Sequence, residues 1–188
     1  MPLQLTYYGH PALRSKGKRI EKITPEIRKL VPQMLATMHH HQGCGLAAQQ
    51  IGRSLQLAVI DVMPAIEKRP SKAWKDGIPI DVESIMPLLL INPEITPLGK
   101  KTIVDTEGCL SIPDVYLELR RPARVKIRTQ LLDGEILEFE AEGLLARAAM
   151  HETDHLHGIL FIDHAKPQEL EEYQPLLKKM LRQNMITG

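Results

Sequence analysis

Gly143 to Gly158 reads GLLARAAMHETDHLHG, and the placing of its polar residues decides what kind of protein this is. Leu and Ala are good helix formers and the closing glycine suits the left-handed position past a helix end, so a helix is predicted up to His157. At about 100° per residue, His151 and His155 fall about 40° apart on the helical wheel and one turn apart along the axis, within reach of one metal ion. Glu152 lies about 60° beyond His155, beside such an ion but not on it. His157 points to the far side. Leu144, Leu145, Ala146, Ala148, Ala149 and Met150 cover most of the helix with apolar groups, which predicts a central, buried element. Two imidazoles and a carboxylate facing a core need compensation, and a metal ion supplies it. A bare HxxxH would read as a solvated helix face; HExxH in a Leu/Ala-rich helix reads as a metal site.

A catalytic metal usually keeps three protein ligands and one open position. The third candidate is Cys109 in EGCLSIP, residues 107–113, where a glycine permits close backbone approach and a proline stiffens the exit. A lone cysteine is more often a small buried apolar group, but beside an HExxH helix its thiolate is a credible partner. Cys44 and Cys109 are the only cysteines and are read as free or metal-bound, not bridged. Residues 43–52, GCGLAAQQIG, have little side-chain bulk, as needed where a peptide backbone lies close, although a tight turn entering a core would read the same. Gln49 and Gln50 add amides able to donate to a developing oxyanion. The run His39 to His41 competes as a metal cluster, but consecutive residues do not face one another, and surface decoration is the reading there. His10 and His164 are isolated and receive no role.

Outward from these segments, Thr24 and Pro25 predict a helix start, followed by Ile27, Leu30, Val31, Met34, Leu35 and Met38 at helical spacing. Pro32 should kink that helix or move its start. LQLAVIDV (55–62) and LLLIN (88–92) read as buried strands. Between them, residues 63–87 mix prolines and charges without a period and are expected to form a long insertion. VKIRTQLLDGEILEFEAE (125–142) alternates on both sides of Asp133-Gly134, predicting a hairpin with a two-residue turn. The expected fold is α+β, with antiparallel sheets packed around the HExxH helix and further helices near the two termini, in a single domain over 1–188 ending in a helical tail at 168–188.

The composition is that of a water-soluble globular domain: 188 residues, 43% hydrophobic and 25% charged. A formal charge of +1 creates no global field for DNA or an anionic membrane. The first twenty residues lack the apolar core of an export signal and no run approaches membrane-spanning length, so bacterial cytoplasm is the expected location; an organellar form would normally carry a transit segment.

Three segments in order, GCGLAAQQ (43–50), EGCLS (107–111) and HETDH (151–155), make the chain resemble the peptide deformylases, from YYGHPALR near the amino terminus to GILFID after the helix. Each segment is modest alone; the ordered set is specific. The resemblance implies that Cys109, His151 and His155 bind one metal, Fe(II) natively with Zn, Ni or Co able to replace it, and that Glu152 is the acid/base. It implies that the Gln50 side chain and Leu110 N–H hold the formyl oxygen, that Gly45 pairs with the substrate backbone, and that Arg121 supports Glu107. The implied substrate is the formyl-Met end of a nascent peptide, and Lys178, Lys179 and Arg182 would then face the ribosome, a solvated helix being the plainer reading of those residues. Tyr116, Met150 and the insertion around Trp74 depart from the family pattern. Two rivals share the metal site: a zinc endopeptidase, which would need a downstream third ligand, and a structural metal domain, which would need a fourth.

Overall fold

Thr24 caps the first helix by accepting from the Ile27 N–H at 3.4 Å, and Pro25 takes its first position, so α1 (Pro25–His40) begins where cap and proline put it. It runs unbroken through Pro32. That proline is exposed, and the Arg28 carbonyl it leaves without a helical donor is on an exposed residue within reach of water. Ile27, Val31, Met34 and Met38 form its buried face. The computed structural model describes residues 2–184; Met1 and residues 185–188, the end of the expected tail, lie outside the described residues.

The strands are β1 (Gly45–Ala47), β2 (Leu57–Ile60), β3 (Ser71–Lys75), β4 (Ile78–Ile80), β5 (Leu88–Pro97), β6 (Thr102–Cys109), β7 (Ile112–Pro122), β8 (Arg124–Gln130) and β9 (Ile136–Gly143). Seven form one antiparallel sheet in the order β1-β2-β5-β8-β9-β3-β4, and β6-β7 form a separate hairpin. The antiparallel α+β architecture expected from the sequence is therefore present. The β8-β9 hairpin closes differently from the two-residue turn predicted: Leu131 N–H donates to the Glu135 carbonyl and Gly134 N–H to Leu131, enclosing three residues, with Gly134 alone of the Asp-Gly pair at positive φ (+95°). Leu132 joins the loop because an ordinary turn followed by one left-handed glycine also matches strand twist.

The stretch 63–87 leaves the sheet after β2 and returns at β5, but it carries structure that its lack of period concealed. β3 pairs with β9 and β4 with β3, extending the sheet at the end opposite β1. Trp74 is covered there by the Arg124 guanidinium, 4.0 Å from the ring centroid.

Helix α2 (Leu144–Leu156) opens directly out of β9, and Leu145, Ala149 and Leu156 pack on Ala47, Ala58, Ile60 and Ala141 of the sheet. The small residues at 47, 58 and 141 let the helix approach β1, β2 and β9 closely. Met150, one of the departures from the family pattern, joins this core. α3 (Gln174–Asn184) packs Leu177 and Met180 against β7 residues Val115, Leu117 and Leu119; the helical tail expected at 168–188 is split into a 3₁₀ segment, Pro167–Tyr173, and this helix, with Pro175 in the helix's first turn. No helix among the described residues is long and apolar enough to cross a membrane.

Candidate metal centre

α2 delivers His151 and His155 on one face, and the end of β6 brings Cys109 to them. The thiol and two imidazole nitrogens lie within 4.8 Å of one another, with both histidines buried. Cys109 Sγ is 3.3 Å from His155 Nε2. The other nitrogen of His151, Nδ1, is held 3.0 Å from Glu107 Oε2, which turns its Nε2 toward the cluster. His155 Nδ1 is buried without a partner among the described residues. One thiolate and two imidazoles are a borderline-soft set suited to Fe(II), Zn, Ni or Co, and the buried, pre-oriented donors fit a single such ion.

Glu107 is itself fixed by a network. Arg121 grips it with two hydrogen bonds, Nε to Oε1 at 2.8 Å and Nη2 to Oε2 at 3.0 Å, and Arg147 adds a third at 2.8 Å. Burial opposes ionisation here, but hydrogen bonds from His151 and Arg121 and the Arg121 charge hold the Glu107 carboxyl far below the usual carboxylate range. Arg121 also reaches Asp154 at 2.7 Å, and Asp154 pairs with His164 at 2.8 Å. Arg147 binds the carbonyls of Ile103 and Leu119, tying α2 to both strands of the β6-β7 hairpin that carries Cys109. The sequence reading passed over Arg147, Asp154 and the role of His164. Arg147 was detectable as a lone cation in the apolar face of a helix, a position that demands partners.

Glu152 lies beside the donors, 4% exposed, with Oε2 unpartnered among the described residues. Burial, reinforced by the charges of Glu107 and Asp154 and opposed by His151, pushes its carboxyl up to about 7. Gly45 makes its position possible: a Cβ there would run into the Glu152 carboxylate. Burial and the neighbouring His151 push His155 well below the ordinary imidazole range, whereas hydrogen bonds to Cys109 and Glu107 overcome burial and raise His151.

Gln50 completes the arrangement. Its Oε1 accepts from the Ala47 N–H at 2.8 Å, which aims Nε2 at the cluster, 3.5 Å from Cys109 Sγ. Gly45, Gln50, Cys109, Leu110, His151 and Glu152 all line one pocket. Gln49 turns away, its amide nitrogen reaching the Ser15 carbonyl at 3.5 Å. His39 pairs with Asp61 at 2.9 Å on the surface, His10 caps a 3₁₀ turn through the Ala12 N–H, and His157 is exposed. Among the described residues the metal-capable cluster has three members, and no fourth protein ligand joins it.

An antiparallel α+β fold with a Cys-His-His donor set and a buried carboxylate at its side defines a metal-dependent hydrolase. The family model for polypeptide deformylase matches residues 2–171, and the chain belongs to that family. It is 43% identical to the peptide deformylase of Methylacidiphilum infernorum over 186 residues, 99% of this chain and 96% of that one. Identity to the enzyme of Acinetobacter baumannii is 38%, covering 96% of this chain and 93% of that one. The crystal structure of a peptide deformylase from Synechococcus elongatus in complex with actinonin superposes with a TM-score of 0.78 at 38% identity, covering 94% of this chain and 86% of that one.

Proposed function

We propose that this chain removes the formyl group from the formylmethionine that begins nascent polypeptides, releasing formate and a free methionyl amino terminus. The observation that carries this reading is a three-donor cluster whose Cys109 and His151 line one pocket together with one ionisable carboxyl and one aimed amide. Cys109, His151 and His155 would hold the ion, Fe(II) in the cell with Zn, Ni or Co able to substitute. When bound, it would acidify a water and draw charge from the formyl oxygen.

Each remaining step falls to the chain itself. Glu152 accepts a proton as the water oxygen attacks the formyl carbon, and burial, which raises its carboxyl above the ordinary carboxylate range, suits it to hold and return that proton. The Gln50 Nε2 and the Leu110 backbone N–H donate to the oxygen as it gains negative charge. Glu152 then passes the proton to the departing nitrogen as the C–N bond breaks. Gly45, on the open edge of β1, offers backbone groups to the peptide, which adds along it as a strand. Glu107 and Arg121 act through His151 and touch no substrate.

Gln50→Ala is expected to lower kcat by about 10²-fold with little change in metal content, the usual cost of losing one oxyanion donor. Formate assays alongside metal analysis test this, and an unchanged kcat would remove Gln50 from the mechanism.

We further read the protein as bacterial and cytoplasmic, meeting its substrate at the ribosome. Lys178, Lys179 and Arg182 are exposed on α3 while Leu177 and Met180 are buried, so one face is free to meet ribosomal RNA. Reversing Lys178 and Lys179 to Glu leaves the buried face intact and is expected to weaken salt-sensitive co-sedimentation with ribosomes. Equal co-sedimentation of variant and wild type would refute the contact.

A further inference from the structure

Among the described residues β1 and β6 each pair on one side only, so both present an open edge to the pocket. Residues 63–87 contribute a single side chain to its lining, Arg69. Its Nη2 donates to the Thr106 carbonyl on the open edge of β6 at 3.0 Å and to Asp105 Oδ2 at 2.5 Å. Its Nε and Nη1 have no partner among the described residues. Asp105 does not saturate the guanidinium, because it is shared with Arg147, whose Nε lies 3.8 Å away.

These contacts change what the β6 edge offers. A peptide running outward from the metal donors would meet acceptors along the strand until Thr106. There the carbonyl is occupied, and donors of a cation stand in its place. Thr106 lies three strand steps from Cys109, about 10 Å, which is the span of a formyl group, a methionine and one further residue. Arg69 therefore stands opposite the second residue after the formylmethionine.

We propose that Arg69 is a specificity-determining residue, which closes the β6 edge at Thr106 and favours an acidic side chain at the second position after formylmethionine. The inference rests on the deformylase reading. Three guanidinium N–H groups stay free among the described residues, one on Nε and two on Nη1, and a carboxylate can accept a charge-assisted hydrogen bond from one of them, while a lysine there would face like charge.

The test uses the full chain loaded with one metal per molecule and three C-terminally amidated peptides: formyl-Met-Ala-Glu, formyl-Met-Ala-Gln and formyl-Met-Ala-Lys. The wild type is expected to favour Glu over Lys by about tenfold in kcat/KM, the worth of one charge-assisted hydrogen bond, expressed in KM, with Gln between. Arg69→Ala should bring the ratio close to one, and Arg69→Lys, which keeps the charge, should restore part of it. A wild-type ratio near one, or a ratio that survives Arg69→Ala, overturns the proposal. Absence of formate from all three peptides with the wild type removes the deformylase reading and this proposal with it; formate without discrimination removes this proposal alone.

Discussion

Glu152→Gln is expected to lower formate release by about 10²- to 10⁴-fold while one metal per chain is retained, the range typical of a lost general acid/base. The amide fits the space of the carboxylate beside Gly45 but can neither accept nor return a proton. Because Cys109, His151 and His155 are untouched, metal content should hold, and the loss should appear in kcat more than in KM. Kinetics and metal analysis on the same preparation check this. A variant within a few-fold of wild type would mean that another group moves the proton.

The second large effect concerns the support beneath the metal. Glu107→Ala would leave Arg121 and Arg147, each about as buried as Glu107 itself, facing a cavity without their anion. Breaking a buried pair in this way costs about 3–5 kcal/mol. It also frees His151 Nδ1, and losing such an orienting partner typically weakens metal binding by about 10- to 100-fold. Urea unfolding in the presence of chelator isolates the first effect, since a bound ion adds its own stabilisation. Metal titration then reads the second. The sign of the pH dependence follows from the depressed carboxyl. Its folded pKa lies below the unfolded one, so its contribution is complete above the ordinary carboxylate range and is lost as pH falls toward the folded value. The variant should therefore lose less stability than wild type on acidification. Equal stability at neutral pH would show that the two arginines find other partners.

The centre was legible where chemistry and helical period coincide. HETDH places both histidines and Glu152 by arithmetic alone, and Gly158 lies at φ +74° past the helix as a terminating glycine should. Cys109 was legible only as the thiolate available to complete the donor set, because a cysteine in a strand-turn segment carries no period that points at a helix about 40 residues later. The β8-β9 hairpin announced itself by alternation, with Val125, Ile127 and Phe139 facing the core. Strands β3 and β4 did not, since Pro79 and exposed Ile78 break any pattern at an edge. Arg147 could be marked as a cation in need of a partner but not matched to Glu107, and Asp154 could not be marked at all, because both partners lie across the fold where no local spacing points. Arg69 is the extreme case: a cation in an apparently structureless stretch, significant only because the chain returns it to the β6 edge.

The endopeptidase rival would need a third ligand after the helix. His157 faces solvent and His164 is engaged with Asp154, whereas Cys109 sits against His155. The structural-site rival would need a fourth ligand, which the described cluster does not contain.

The most direct test is anaerobic incubation of the wild type, loaded with one Fe(II) per chain, with formyl-Met-Ala-Ser and separately with unformylated Met-Ala-Ser. The account predicts one formate per amino terminus freed from the first peptide and no change in the second. No formate from a metal-filled protein, or cleavage of peptide bonds in the unformylated peptide, would contradict it.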